Sequence, residues 1–203
     1  MSRITDILPC PNKKGRFDIY ADGELILTLS EDAVVECSLR VGSEVSEQEL
    51  IDIEAKVTLV RAKAKAYDLL SYGDMSRKTL CTKLARYGYD EDTIASCADS
   101  LEQNGYIDDM RYAERLAAYL ANSKLYGRRR IFTELMQKGV GRDHAQSAID
   151  ALDTDFYQSL CTLVGKERIT DEKSVIRLKN RLVRYGYDYD MIASVLSAGE
   201  DYD

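Results

Sequence analysis

Asn104–Val140 reads NGYIDDMRYAERLAAYLANSKLYGRRRIFTELMQKGV, and its spacing describes two helices that meet at a basic corner. Asn104-Gly105 is a turn. Asp108 and Asp109 follow where a helix should start, because carboxylates suit the free N–H groups and positive dipole end found there. Tyr112, Leu116, Tyr119 and Leu120 recur at three- and four-residue steps, which predicts one inward-facing stripe. After Tyr126-Gly127 a second helix opens with Arg128, Arg129 and Arg130. Its apolar row is Ile131, Leu135 and Met136, and Gly139 ends it in the left-handed conformation that glycine adopts cheaply.

The second-helix pattern recurs on both sides. Eight residues before Gly88, Gly139 and Gly186 stand Leu80, Ile131 and Leu178, and four before them stand Leu84, Leu135 and Leu182. Tyr89, Val140 and Tyr187 follow the glycines, and Ala98, Ile149 and Leu196 lie ten residues beyond them. The first and third units share Arg-Tyr-Gly-Tyr-Asp, at Arg86–Asp90 and Arg184–Asp188. Stacked copies of one small module follow from this self-similarity. The expected fold class is mainly α, with three tandem three-helix repeats in an elongated curved array behind a small N-terminal β-hairpin segment. Its divisions are 1–54 for the acidic β-hairpin segment, then 55–104, 105–152 and 153–203 for the repeats, the last with a short tail at 200–203.

Charge is distributed unevenly in a chain whose formal net charge is −7. Residues 1–60 hold 6 basic and 12 acidic side chains, against 22 and 23 in the remainder, so the acidity belongs mainly to the N-terminal segment. The 5 cysteines are odd in number and lack paired spacing, which argues against a disulfide framework. Cys81 and Cys97 fall inside helical patterns and read as small buried hydrophobes of a reducing cytosol. With no apolar leader and no long apolar run, the expected location is cytoplasmic and no membrane partner is expected.

Along the first segment, Ile4–Leu8 is a strand candidate ended by Pro9-Cys10-Pro11. Two alternating stretches flank Asp22-Gly23, a hairpin signal. A three-residue loop, Ala21-Asp22-Gly23, would gather Phe17, Ile19, Leu25, Leu27 and Leu29 on one face, and register arguments favour it over a two-residue loop. Ser30 caps a short helix through Glu36, and Leu39–Val45 is expected to return as a strand. Ser46 and Glu49 have capping-box spacing. Ala55–Leu70 is an amphipathic helix with Lys56, Arg61, Lys63 and Lys65 outside. Ser76 and Asp90 cap the next two helices. The second repeat runs through Asp109–Ala121, Gly127–Lys138 and Arg142–Leu152, and the third through 155–167, 170–185 and 188–196.

A catalytic inventory is thin. His144 is the single histidine and has no partner for acid–base work. Phosphate loops, dinucleotide fingerprints and metalloprotease motifs are missing, and the cysteines do not have zinc spacing. Adjacent Asp108 and Asp109 diverge by about 100° on a helix, which suits capping better than a shared metal ion. Neither an enzyme, a cofactor nor a metal is expected.

The basic rows point to binding. Lys173, Arg177, Arg181 and Arg184 make one continuous helical stripe. Arg128–Arg130 crowd a helix start, where the dipole disfavours cations. Either an anionic partner, phosphate or acidic protein, resolves that conflict, or nearby acids of the same chain do. Tyr87, Tyr89, Tyr185 and Tyr187 beside the turn glycines fit junction packing with a wet hydroxyl, with base stacking as the alternative.

Gly105-Tyr-Ile-Asp-Asp109 with Arg111-Tyr112-Ala113, then Gly127, Ile131, Glu134-Leu135 and Lys138-Gly139-Val140, resembles the RecX family of regulators of the bacterial RecA recombinase. Ser76, Leu80, Leu84 and Gly88-Tyr89 are similar to that family's first repeat. The resemblance spans roughly residues 60–198. It implies a non-enzymatic helical-repeat protein of DNA repair, homologous recombination and the SOS response; a monomer is the default expectation.

 

The same resemblance implies binding to the RecA filament on DNA and modulation, most often inhibition, of its ATPase and strand exchange. On it, Asp108, Asp109, Tyr112, Ala113, Gly127, Leu135, Lys138 and Gly139 are the family-motif positions. Arg128, Arg129, Arg130, Lys173, Arg177, Arg181 and Arg184 are the candidates for contacting RecA or DNA. Independent binding to single- or double-stranded DNA is expected to be weak in an acidic chain. The alternative function is direct DNA binding by helix-turn-helix-like triplets, as in a transcription regulator.

Overall fold

The computed structural model describes residues 1–167 and 170–200; of the expected tail at 200–203, Glu200 ends the last helix and 201–203 lie outside the described residues. Four strands and ten helices follow in order among those residues. The strands are β1 (Ser2–Pro9), β2 (Arg16–Ala21), β3 (Glu24–Ser30) and β4 (Glu44–Val45), with α1 (Glu31–Glu36) between the last two. Three helical triplets come next: α2 (Glu47–Ser71), α3 (Arg77–Arg86) and α4 (Glu91–Gln103); α5 (Asp109–Asn122), α6 (Arg128–Gln137) and α7 (Arg142–Asp150); α8 (Phe156–Val164), α9 (Glu172–Arg184) and α10 (Tyr189–Glu200). The fold is mainly helical with a small N-terminal sheet. By contacts it divides into two compact units, one of residues 1–69 with 83–100 and one of residues 70–82 with 101–203.

In the first unit the sheet order is β3-β2-β1-β4, antiparallel throughout. The hairpin loop has two residues, Asp22 and Gly23, both at positive φ (51° and 87°), with Ala21 paired to Glu24. That corrects the three-residue loop, because the paired left-handed residues match the right-handed twist of the strands. A bulge between the Ile19–Leu27 and Tyr20–Leu25 pairs then resets the register. Phe17 and Ile19 therefore face Leu29 and Leu27 as expected, but Leu25 falls beyond the bulge and is 54% exposed. The expected strand over Leu39–Val45 shrinks to β4, which pairs Val45 with Ser2 and Glu44 with Arg3.

Ser30 caps α1 by accepting from the Ala33 N–H at 3.3 Å. Ser46 and Glu49 close a reciprocal box, Glu49 taking the Ser46 N–H at 2.7 Å and Ser46 Oγ taking the Glu49 N–H at 3.2 Å. The box opens α2 itself, so this helix begins well before the expected Ala55; no glycine or proline intervenes to break it. Ile53 and Val57 on its first turns join Ile4, Ile19, Leu29 and Val45 in the core of the sheet.

In the second unit the buried set includes Ala113, Ala117, Leu120, Ala121, Ile131, Leu135, Val140, Ile149, Leu160, Leu178, Leu182 and Tyr187. The inward stripe of α5 is thus built on alanines. Tyr112 and Leu116 pack at its margin, and Tyr119 is 50% exposed, contrary to the sequence expectation. Met136 is likewise outside, at 41%. α5 packs closely against α7, as an inward stripe of small side chains allows. The periodic leucines behave as the repeat predicted: Leu80, Ile131, Leu84 and Leu135 are fully buried, and Leu178 and Leu182 nearly so. Gly88, Gly139 and Gly186 all hold positive φ, at 86°, 81° and 92°.

Candidate partner-binding surface

The turns that end α6 and α9 are each seated on the start of another second helix. Behind α6, the Lys138 carbonyl accepts from Ser76 Oγ at 2.6 Å and from Thr79 Oγ1 at 2.9 Å, at the start of α3. Ser76 also accepts the Thr79 N–H at 3.2 Å, so one fully buried hydroxyl caps its own helix and ties down another. A Cβ on Gly139 would stand 2.8 Å from Ser76 Oγ, which makes glycine obligatory for contact as well as for φ.

Behind α9 the same arrangement meets the start of α6. Gly127 donates its N–H to the Tyr185 carbonyl at 2.8 Å, and Arg129 donates its own to the Gly186 carbonyl at 3.4 Å. Gly127 has no side chain with which to cap α6; the carbonyl end of α9 does it instead, and opposite helix-dipole ends meet. Tyr187 donates its hydroxyl to the Leu125 carbonyl at 3.0 Å, and burial pushes its pKa up to about 12. Tyr185 stands edge-on to Tyr126 with ring centroids 5.3 Å apart. Tyr185 and Tyr187 are therefore junction residues, while Tyr87 is 57% exposed.

The two adjacent acids of α5 divide their work. Asp108 caps α5, accepting from the Arg111 N–H at 2.8 Å. Asp109 turns to α3 and accepts the Arg77 N–H at 2.7 Å. Tyr112 lies near Asp74 and Asp109, and burial followed by those two charges raises its pKa. Ala113, Leu135 and Gly127 are buried, so the family-motif positions mostly build the framework.

Arg128, Arg129 and Arg130 do not converge. Arg128 reaches Asp150 at 3.2 Å and lies over the Phe156 ring; Arg129 pairs with Asp188 at 2.7 Å; Arg130 pairs with Glu134 at 2.5 Å and lies over Tyr126. Acids of the same chain and the α9 carbonyls thus answer the conflict at this helix start. The Arg128 and Arg129 pairs are more than half exposed and worth roughly 0–1 kcal/mol each, while Glu134 of the third pair is largely covered.

The α9 stripe is more open. Arg177, Arg181 and Arg184 line a depression of about 560 Å³ together with Ser174. Arg181 is held by Glu167 at 2.7 Å, and Arg177 Nε donates to the Lys173 carbonyl at 3.3 Å. Lys173 is exposed at the head of the row but does not line the depression. Sequence reasoning missed Arg142, which joins Arg128 and Arg129 around a second depression of about 330 Å³. It missed a third group as well: Lys13, Arg16 and Arg61 border a depression of about 240 Å³ in the acidic first unit. Burial, then the Arg16 charge, lower the Arg61 pKa. No local spacing signals either group, because each is assembled from separate elements.

His144 is exposed on α7. Among the described residues, no group of three or more His, Cys, Asp or Glu is placed to hold a metal ion. Among them, too, no helix is long and apolar enough to cross a membrane. Cys97 is buried as expected, whereas Cys81 is only half-buried.

Comparison with known proteins gives a consistent picture. A family model described as "RecX, first three-helix domain" matches residues 62–101, and one described as "RecX, second three-helix domain" matches residues 108–149. A protein named Regulatory protein RecX from Clostridioides difficile is 29% identical over 100% of this chain and 98% of its own length. One of the same name from Clostridium botulinum (strain Eklund 17B / Type B) is 23% identical over 100% of this chain and 99% of its own. Among solved structures, "Crystal structure of regulatory protein RecX" superposes with a TM-score of 0.73 at 21% identity, over 97% of this chain and 100% of that one. "Crystal structure of RecX from Lactobacillus salivarius" gives 0.62 at 24% identity, over 70% and 96%. At such identities the two structures speak to the fold alone.

Proposed function

The chain belongs to the RecX family, and from that premise we propose that it binds the RecA recombinase filament on DNA and lowers RecA's ATP hydrolysis and strand exchange. The observation that carries the reading is full-length similarity to proteins named as RecX regulators, not to their helical domains alone. Three modules on one chain suit a partner that repeats along a polymer, since several modest contacts then add up to avidity. Arg177, Arg181 and Arg184, with Lys173 above them, supply one cationic surface; Arg128, Arg129, Arg130 and the neighbouring Arg142 supply another. These guanidinium groups suit acidic protein side chains and phosphate alike. The net charge of −7 keeps independent affinity for DNA low. The protein acts as a cytoplasmic monomer, by binding rather than turnover.

Sedimentation with RecA-coated single-stranded DNA tests this. The chain should pellet with the coated strand at physiological salt and stay in the supernatant with naked DNA. Equal pelleting with naked DNA, falling steeply as salt rises, would instead favour direct binding by the helical triplets.

A further inference from the structure

Arg-Tyr-Gly-Tyr-Asp occurs at both Arg184–Asp188 and Arg86–Asp90, and only the later copy is seated. There, Tyr185 and Gly186 present carbonyls to the first N–H groups of α6, Tyr187 donates its hydroxyl to Leu125, and Asp188 holds Arg129. Gly186 and Tyr187 are buried, and a Cβ on Gly186 would stand 2.6 Å from the Arg130 Cβ. The earlier copy has the same left-handed glycine but a different environment. Tyr87 and Gly88 are exposed, and a Cβ on Gly88 would meet nothing within 4 Å. The Lys65 ammonium lies over the Tyr87 ring at 4.4 Å, and Asp90 caps α4 by accepting from Thr93 at 2.8 Å. Neither group fills the space in front of the glycine.

We propose that Arg86–Asp90 is a docking plug for the N-terminal corner of a helix on another protein. The socket this chain builds for the twin pentapeptide specifies that corner's chemistry. It has glycine at the N-cap, free N–H groups in its first turn, a cation at the second helical position and a bare carbonyl just before the glycine. The carbonyl end of α3 meets the positive end of the incoming helix, Asp90 accepts from the cation with its remaining lone pairs, and the Tyr89 hydroxyl donates to the carbonyl. A second copy of this chain does not offer that corner: α7 also starts after an open glycine, Gly141, but carries Asp143 where the corner needs its cation. The start of α6 is covered by Arg184–Asp188 and the start of α3 by Lys138. In α9 the N-cap is Asp171, fifteen residues before Gly186 rather than twelve before the turn glycine as in α3 and α6, and a capping box with Ser174 seals it. The partner is therefore a different protein, and the proposal holds whether or not that protein is the recombinase.

The probe is a synthetic peptide of residues 124–138, which carries the socket corner, titrated into the full chain labelled with ¹⁵N. Saturable amide shifts centred on Tyr87, Gly88 and Tyr89 are expected. Gly88→Asn keeps the left-handed backbone, which asparagine tolerates, but fills the space; it should weaken binding at least tenfold. A peptide carrying Arg129→Glu should lose binding to the same degree with the protein unchanged, so the test survives a poorly folded variant. Shifts centred elsewhere, shifts equal in Gly88→Asn, or full binding of the Arg129→Glu peptide would overturn the proposal. So would self-association of the chain that Gly88→Asn abolishes in sedimentation, since that would make a second copy the occupant.

Discussion

The carboxylate of Asp109 accepts the backbone N–H of Arg77 at 2.7 Å, although its neighbour Asp108 caps the helix to which both belong. Two adjacent acids thus serve the starts of two helices in different repeats. Replacing either by alanine should cost about 0.5–2 kcal/mol, the usual loss for a cap. Amide exchange separates them: Asp109→Ala should speed exchange at Arg77, and Asp108→Ala at Arg111.

Leu135 is fully buried in the middle repeat. Leu135→Ala should lower stability by about 2–5 kcal/mol, through lost transfer energy and the cavity left behind. Urea denaturation checks this, with an unchanged slope if the denatured state is unaffected.

Gly127 and Gly141 are both N-caps at ordinary negative φ, and neither forms a side-chain cap. They differ in surroundings, since a Cβ on Gly127 would collide with the Gly186 carbonyl and one on Gly141 would meet nothing. Gly127→Ala should therefore destabilise by roughly 1–3 kcal/mol or more, and Gly141→Ala by about 1 kcal/mol at most. Thermal melts of the pair isolate the close approach from the cap.

Tyr187 has its pKa raised to about 12 by burial, so its neutral form is the one the fold favours. The stability this gives is complete below the unfolded tyrosine value of about 10 and is lost as pH rises through the folded value. Alkaline absorbance titration should find a late-ionising tyrosine that disappears in Tyr187→Phe. That variant's stability should also fall less between those two pH values than the parent's.

The turn glycines and the leucines four and eight residues before them were legible because the repeat states each position three times over. Tyr119 and Met136 were misplaced because hydrophobicity outweighs size in a periodicity argument, whereas close helix contact selects alanines such as Ala113 and Ala117. The hairpin loop was misjudged because the bulge beyond Ile19 performs the register shift that had been assigned to the loop. Partners distant in the chain were out of reach: nothing near Arg129 in sequence announces Asp188, and nothing near Ser76 announces Lys138. The basic rows could be read as faces, but their division into paired and open cations depends on those distant acids.

RecA-dependent ATP hydrolysis on single-stranded DNA tests the central claim most directly. Added in increasing amounts, the chain should lower the rate, and charge reversal at Arg177, Arg181 and Arg184 together should relieve that inhibition while leaving helicity intact. A rate unaffected by the wild-type chain at saturating concentration would contradict the account.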